Sequence, residues 1–345
     1  MHLRSFEYFR AVTIVIIVAG HSYGIAGWNI ESFWDRLLAN LLSGGTSLFV
    51  FISGFLFHHV FFPRYDYVTF VRKKFKNVYV PYLFLSIIPV CISIYTRIPY
   101  EEFYFGQNDT FYDQIVRPAF LYYWYGGVMA YWYIPFIMCM FLISPLFVWF
   151  VRQSTKYKII IICILSIISV FIHRPVNNWS VLQSVVYFSP VYMFGILCSM
   201  KRDWIYKKLE GKDCILFAAV ILLAVLQAIV MDTCGNLQKN PFEYNGVDIS
   251  YFQKLCLCVF FMVFLRRFEY KEYTLLKQLA ASSFSIYFLH GWFVYLFWMT
   301  SSYYENYFGL HMLPVLTILI VWFSYNFALF FKKFFPNKSR MIIGW

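Results

Sequence analysis

Residues 9–24 read FRAVTIVIIVAGHSYG, an apolar run broken by Arg10 near its start and His21 near its end. A basic flank precedes it, but no small-x-small cleavage site follows and His21 interrupts the run. It therefore reads as a retained membrane helix and not as a signal peptide. The rest of the chain repeats this texture. Of 345 residues, 61% are hydrophobic and 13% charged, an apolar share above that of a soluble domain. Apolar stretches of about 20 residues alternate with short charged loops, as in a polytopic helical membrane protein. Candidate spans lie near 7–27, 40–62, 76–97, 127–151, 157–173, 179–199, 213–231, 247–265, 278–299 and 311–331. The expected fold is all-α with about ten transmembrane helices. It forms a single integral membrane domain over residues 1–345, with no polar block or Gly/Ser linker long enough for an appended extramembrane domain.

The basic residues sort with the spans. With the N-terminus inside, 23 of the 29 Lys and Arg residues fall on one side, leaving Arg36, Arg97, Arg117, Arg174, Lys239 and Lys254 on the other. This positive-inside asymmetry predicts cytoplasmic N- and C-termini. It also accounts for the net charge of +12 without a nucleic-acid surface. The eight cysteines lie mostly inside apolar segments, and none forms a CxxC pair. They read as small apolar filler, with no disulfide framework. None of the seven histidines has a convincing ligand partner, so no metal site is expected.

From Arg10 to His21 is eleven positions, about three full turns plus roughly 20°, so the two side chains share a helix face about 16 Å apart. Glu7, three residues before Arg10, is within ion-pairing reach. Alone, Arg10 fits a snorkelling arginine, and His21 fits an interhelical hydrogen bond or a residue emerging into the headgroups. Together they mark a site, because ionisable groups inside a membrane are costly and tend to face a pathway. Arg64, Arg72, Lys73, Lys74 and Lys76 fall in the first inner loop. Near Arg10 they would suit a phosphate-bearing ligand arriving from the cytoplasm, although each alone is ordinary positive-inside charge. The second span contains Gly44, Gly45, Ser47, Ser53 and Gly54, which permit close helix approach. His290 lies in another apolar run, SSFSIYFLHGW. Residues 98–126 are acidic, aromatic and too polar to span, and read as a long outer connecting loop. The aromatics continue as Tyr122, Tyr123, Trp124, Tyr125, Tyr131, Trp132 and Tyr133. They fit an interfacial belt or a platform for stacking sugar rings.

These features together resemble the acyltransferase-3 family of membrane O-acyltransferases, which modify bacterial surface polysaccharides and related acceptors. The family's arginine, ten residues, then histidine on the first helix is matched by Arg10 and His21, with Glu7 as the preceding acid. Further matches are FVFISGFL (49–56), KKFKNVYVPYL (73–83), YWYIPF and ISPL within 131–146, FGILC (194–198) and SFSIYFLHGWF (283–293). The resemblance covers essentially the whole chain and has the same ten-helix plan. It implies acyl transfer, commonly of acetyl, from cytoplasmic acyl-CoA to a hydroxyl of a cell-surface or lipid-linked carbohydrate. It also implies a multi-pass location in the bacterial inner membrane, with the coenzyme as co-substrate and no bound cofactor. By match, Arg10 engages the donor and His21 is the catalytic histidine. The family's R-x-x-R pair is replaced by Lys73-x-x-Lys76, and lysine lacks the bidentate fork. Arg10, Arg72, Lys73 and Lys76 form the expected donor set, with Glu7, Ser53 and His290 in support. Trp124, Tyr131, Trp132 and Tyr133 form the expected acceptor set. Imidazole titrates where a general base for a sugar hydroxyl is useful, and an acyl-histidine route is equally open. A glycan or lipid-linked-sugar transporter, or a non-catalytic subunit of a polysaccharide synthesis system, would carry similar buried charges and outer aromatics.

Overall fold

The computed structural model describes residues 3–97, 101–231, 234–300, 309–336 and 338–345, without the side chains of residues 101, 298 and 300. In chain order the helices are α1 (Arg4–His21), α2 (Phe33–Leu42), α3 (Gly45–Leu56), α4 (Tyr67–Lys74), α5 (Val80–Thr96), α6 (Glu101–Tyr104), α7 (Arg117–Tyr125), α8 (Tyr133–Leu142), α9 (Ser144–Arg152) and α10 (Thr155–Ile172). They continue as α11 (Val181–Met200), α12 (Arg202–Leu209), α13 (Asp213–Val230), α14 (Ile249–Arg266), α15 (Thr274–Thr300), α16 (Met312–Phe334) and α17 (Ser339–Ile342). No strand occurs among the described residues, only an isolated bridge between Arg174 and Gln238.

Eight helical stretches are long and apolar enough to cross a membrane, and α8 and α9, bent by 54°, make a ninth if they cross as one. The difference from the ten expected spans lies in α1. It has 18 residues, but Arg4, Glu7 and Arg10 occupy its first two turns. Polar contacts hold that end in place. Leu3 precedes α1 and has no side-chain oxygen to cap it, so Glu269 accepts from the Arg4 and Ser5 amides instead, each at 3.0 Å. The Tyr8 hydroxyl donates to Lys271 O at 2.7 Å and accepts from the Tyr273 amide at 3.0 Å. These bonds satisfy amides that every helix N-terminus leaves open, and they fix α1 to the segment joining α14 and α15.

Among the described residues α3 packs most extensively against α11, and two glycines explain it. A methyl on Gly54 would fall 2.0 Å from Tyr192 O, and one on Gly195 would fall 2.2 Å from Phe51 O. Small residues facing each other bring two backbones together, which supplies packing where lipid removes the hydrophobic drive. Around this pair the aromatic side chains of α1, α3, α8 and α11 form one continuous core. The polar segment 98–126, read as a loop, is largely helical. It holds α6, a π-helical turn over Tyr112–Val116, and α7. Phe103 stacks on Trp179 at 4.1 Å, and Tyr104 stacks on Tyr122 at 3.9 Å. Residues 98–100 of the segment lie outside the described residues.

Candidate active site

The seam between α1 and α15 brings the chemistry together. At one end Arg10 Nη2 donates to Ser283 Oγ at 3.0 Å. At the other, the rings of His21 and His290 lie 5.2 Å apart. Ser283 and His290 are about two turns apart on α15 and so share a face. The polar stripe of α1 thus meets a polar stripe of α15, and each end of the seam opens into its own cavity.

The Arg10 cavity has a volume of about 630 Å³, and Arg10, Lys73, Lys74, Lys332 and Arg340 line it without any Asp or Glu. The Lys74 ammonium is seated among three rings, 4.2 Å from Phe61, 4.5 Å from Phe141 and 5.4 Å from Phe70, an arrangement that favours a cation. Asp66 begins α4 by accepting from the Thr69 amide at 2.9 Å, and Thr69 holds its carboxyl below the usual range. After Lys74 the helix widens into a π-turn over Phe75–Tyr79, whose Asn77 also lines the cavity. Of the expected donor residues, Arg10 and Lys73 are in the lining, whereas Arg72 and Lys76 are exposed outside it. Lys74 sits beside Lys73, so the basic pair at the cavity is adjacent in sequence and not spaced by three. Glu7 stays within electrostatic reach of Arg10. Ser53 and Tyr133 both line this cavity, within interaction reach of each other.

The His21 cavity is about 460 Å³ and carries no charged residue among the described residues. Its polar lining is His21, His290, Ser93, Thr96 and Tyr295, among apolar faces of α5 and α15. His290 Nδ1 lies 3.1 Å from Ile286 O, which makes Nδ1–H the donor and leaves Nε2 as the acceptor nitrogen. Nε2 is buried and has no hydrogen-bond partner among the described residues. One side of the cavity is a strained turn in which Met129 and Ala130 take positive φ, 51° and 60°, a conformation non-glycine residues adopt at a cost. A methyl on Gly291 would fall 2.5 Å from Met129 O, so this glycine lets the turn lie against α15.

A wall of tyrosines separates the cavities. The Tyr287 ring lines the Arg10 cavity, while its hydroxyl donates to Ala130 O at 3.0 Å, and Ala130 lines the other cavity. Tyr131 is buried and donates to Phe288 O at 2.6 Å.

The four aromatics expected at the acceptor are dispersed. Tyr133 lies at the Arg10 cavity. Tyr131 is in the wall. Trp132 is buried, with the Arg174 guanidinium 4.9 Å over its ring. Trp124 is exposed and stacks on Phe120 at 6.2 Å. None of them lines the His21 cavity. The reason is local: α7 ends at Gly126, with φ 65°, and the turn after it presents Gly127–Ala130 to the cavity while Tyr131 and Trp132 go into packing. Sequence reasoning also passed over Gly291 and the Met129–Ala130 turn. It read Lys332 and Arg340 as membrane-side charge only, and nothing in their spacing tied them to Arg10.

Among known proteins, no curated protein and no solved structure matches the chain. A family model described as an acyltransferase domain, Acyl_transf_3, matches residues 3–330. With Arg10 and His21 at opposite ends of one helical seam in a bundle of membrane-length helices, the chain belongs to the acyltransferase-3 family and is a membrane acyltransferase.

Proposed function

We propose that the protein transfers an acyl group, acetyl foremost, from cytoplasmic acyl-CoA to a hydroxyl of a cell-surface or lipid-linked carbohydrate, as a multi-pass protein of the bacterial inner membrane. The observation that carries this reading is the pairing of the two cavities on one seam. Among the described residues, one is rich in cations with no Asp or Glu, and the other holds two imidazoles and no charged residue. A coenzyme's phosphates suit the first. Hydroxyl activation by a neutral imidazole suits the second. The positive-inside distribution of charge supports an Arg10 end that faces the cytoplasm, where acyl-CoA is made.

In the reaction so proposed, Arg10 and Lys73, with Lys74, hold the donor phosphates while the acyl arm runs along the seam toward His21. His21 takes the acceptor proton as the hydroxyl oxygen attacks the thioester carbonyl. The C–S bond breaks, and the leaving thiolate recovers the proton from the imidazolium. In the covalent variant, His21 takes the acyl group first and hands it to the acceptor.

Purified protein in lipid bilayers, given acetyl-CoA with and without a glycan acceptor, tests the reading. Consumption of the thioester by the parent is expected, and His21→Ala should lower it by about 10²–10⁴-fold at unchanged protein abundance. A parent that never consumes an acyl-CoA would refute the enzyme assignment and leave a transporter. Acyl label retained on the parent without acceptor, and lost in His21→Ala, marks the covalent route.

A further inference from the structure

Two of the five cations at the Arg10 cavity, Lys332 and Arg340, lie beyond residue 330, where the family match ends. They belong to a strap built against the cavity. After α16 the chain turns through α17, which rests on α5 and the π-turn at Phe75–Tyr79. Ile343, 1% exposed, is buried between Leu289 and Ala328. Gly344 then reverses the chain with φ 82°, and a methyl there would fall 2.5 Å from Phe284 Cδ1. Trp345 returns to α16, with the Lys332 ammonium 4.0 Å over its ring. Ser339 Oγ donates to Trp345 O, closing the loop.

The strap places Arg340 within electrostatic reach of Lys74, which Arg10 also reaches. Like charges gathered around a partly desolvated space, with no Asp or Glu side chain among its described lining residues, repel one another and favour an anion that joins them. Phosphate is the fitting partner, because guanidinium forks and ammonium groups both bind its oxygens with charge-assisted hydrogen bonds.

We propose that the strap is the nucleotide end of the donor site, with Lys332, Arg340 and Trp345 holding the phosphate- and base-bearing part of the coenzyme. Arg10, Lys73 and Lys74 keep the phosphates nearest the acyl arm, and the seam is left for that arm. This rests on the acyl-CoA reading above and adds to it a binding element outside the region the family model matches.

The test is equilibrium binding of coenzyme A to the full chain in phosphatidylcholine nanodiscs, with pantetheine as the phosphate-free comparison. Arg340→Ala should weaken coenzyme A binding at least about tenfold, ~1.4 kcal/mol, and leave pantetheine binding unchanged. Arg340→Lys should recover most of the loss, and Arg340→Glu should exceed it. Arg10→Ala serves as the donor-site control. If Arg10→Ala weakens coenzyme A binding and Arg340→Ala does not, the strap assignment falls and the donor reading stands. If the parent binds no coenzyme A, the donor reading falls and the strap assignment with it. Equal losses for Lys and Glu at position 340 would reduce Arg340 to a folding role and overturn the proposal. A loss seen only when phosphatidylglycerol is added would assign the strap to a lipid headgroup and overturn it as well.

Discussion

Arg10 carries three relationships at once: a hydrogen bond to Ser283, electrostatic reach to Glu7, and a place in the lining of the cationic cavity. Because, among the described residues, its guanidinium donates to a single neutral hydroxyl, most of its hydrogen-bonding capacity is available to a ligand. Arg10→Ala should therefore weaken coenzyme A binding by about tenfold to a hundredfold, the worth of a hydrogen bond to a charged group. Arg10→Lys should restore part of that, since it keeps the charge and loses the fork. Calorimetry in nanodiscs measures both, and an unchanged affinity for Arg10→Ala would remove it from the donor site. At this scale the legible part of the site is the part that one helix determines. Eleven positions on a 3.6-residue repeat put Arg10 and His21 on one face before any partner is known. Ser283, His290, Lys74 and Arg340 reach them only through tertiary contacts spanning most of the chain, and no local period records those. The aromatic set failed for a related reason. Tyr and Trp serve equally in a belt, a platform or a buried core, and only packing separates Tyr131 in the wall from Trp124 on the surface.

The seam between α3 and α11 depends on two backbones touching at Gly54 and Gly195. Gly54→Ala would drive a methyl into the Tyr192 carbonyl, and Gly195→Ala would drive one into that of Phe51. Overpacking of this kind costs about 1–3 kcal/mol. Each variant should unfold a few degrees lower in detergent, roughly as such energies shift a melting temperature. The double variant should lose less than the two losses combined, since one separation of the helices relieves both clashes. Intrinsic tryptophan fluorescence on heating measures this, and parent-like melting in both single variants would show that the helices already stand further apart. Elements of this kind were readable where they are long and apolar: α10, α11, α13 and α14 begin and end within a few residues of their expected spans. The segment 98–126 was misjudged as loop because its helices bury aromatics against one another. That pairing leaves no clean apolar period in the sequence.

For the whole molecule, the wall between the cavities matters beyond acyl transfer. If the two cavities face opposite sides of the membrane, as the proposed function requires, the seam between them is a weak point in an electrical insulator. Each elementary charge crossing 100 mV gains about 2.3 kcal/mol, and a file of water through the seam would discharge the proton gradient. The hydroxyls of Tyr131 and Tyr287 are both committed to backbone carbonyls, Phe288 O and Ala130 O. A proton relay needs a group that can accept as well as donate and then reorient, and neither hydroxyl can turn without breaking its bond. Removing the ring with Tyr287→Ala should make proteoliposomes holding an imposed pH gradient and a trapped pH dye lose that gradient faster than parent vesicles do. Tyr287→Phe should leak less than Tyr287→Ala, because its ring still fills the gap. Identical decay in all three would mean that the insulation lies elsewhere. Under the proposed function the tyrosines at the centre of the fold would answer to the cell's energy supply as much as to its surface chemistry: they would let a cytoplasmic thioester be spent across the bilayer without short-circuiting it.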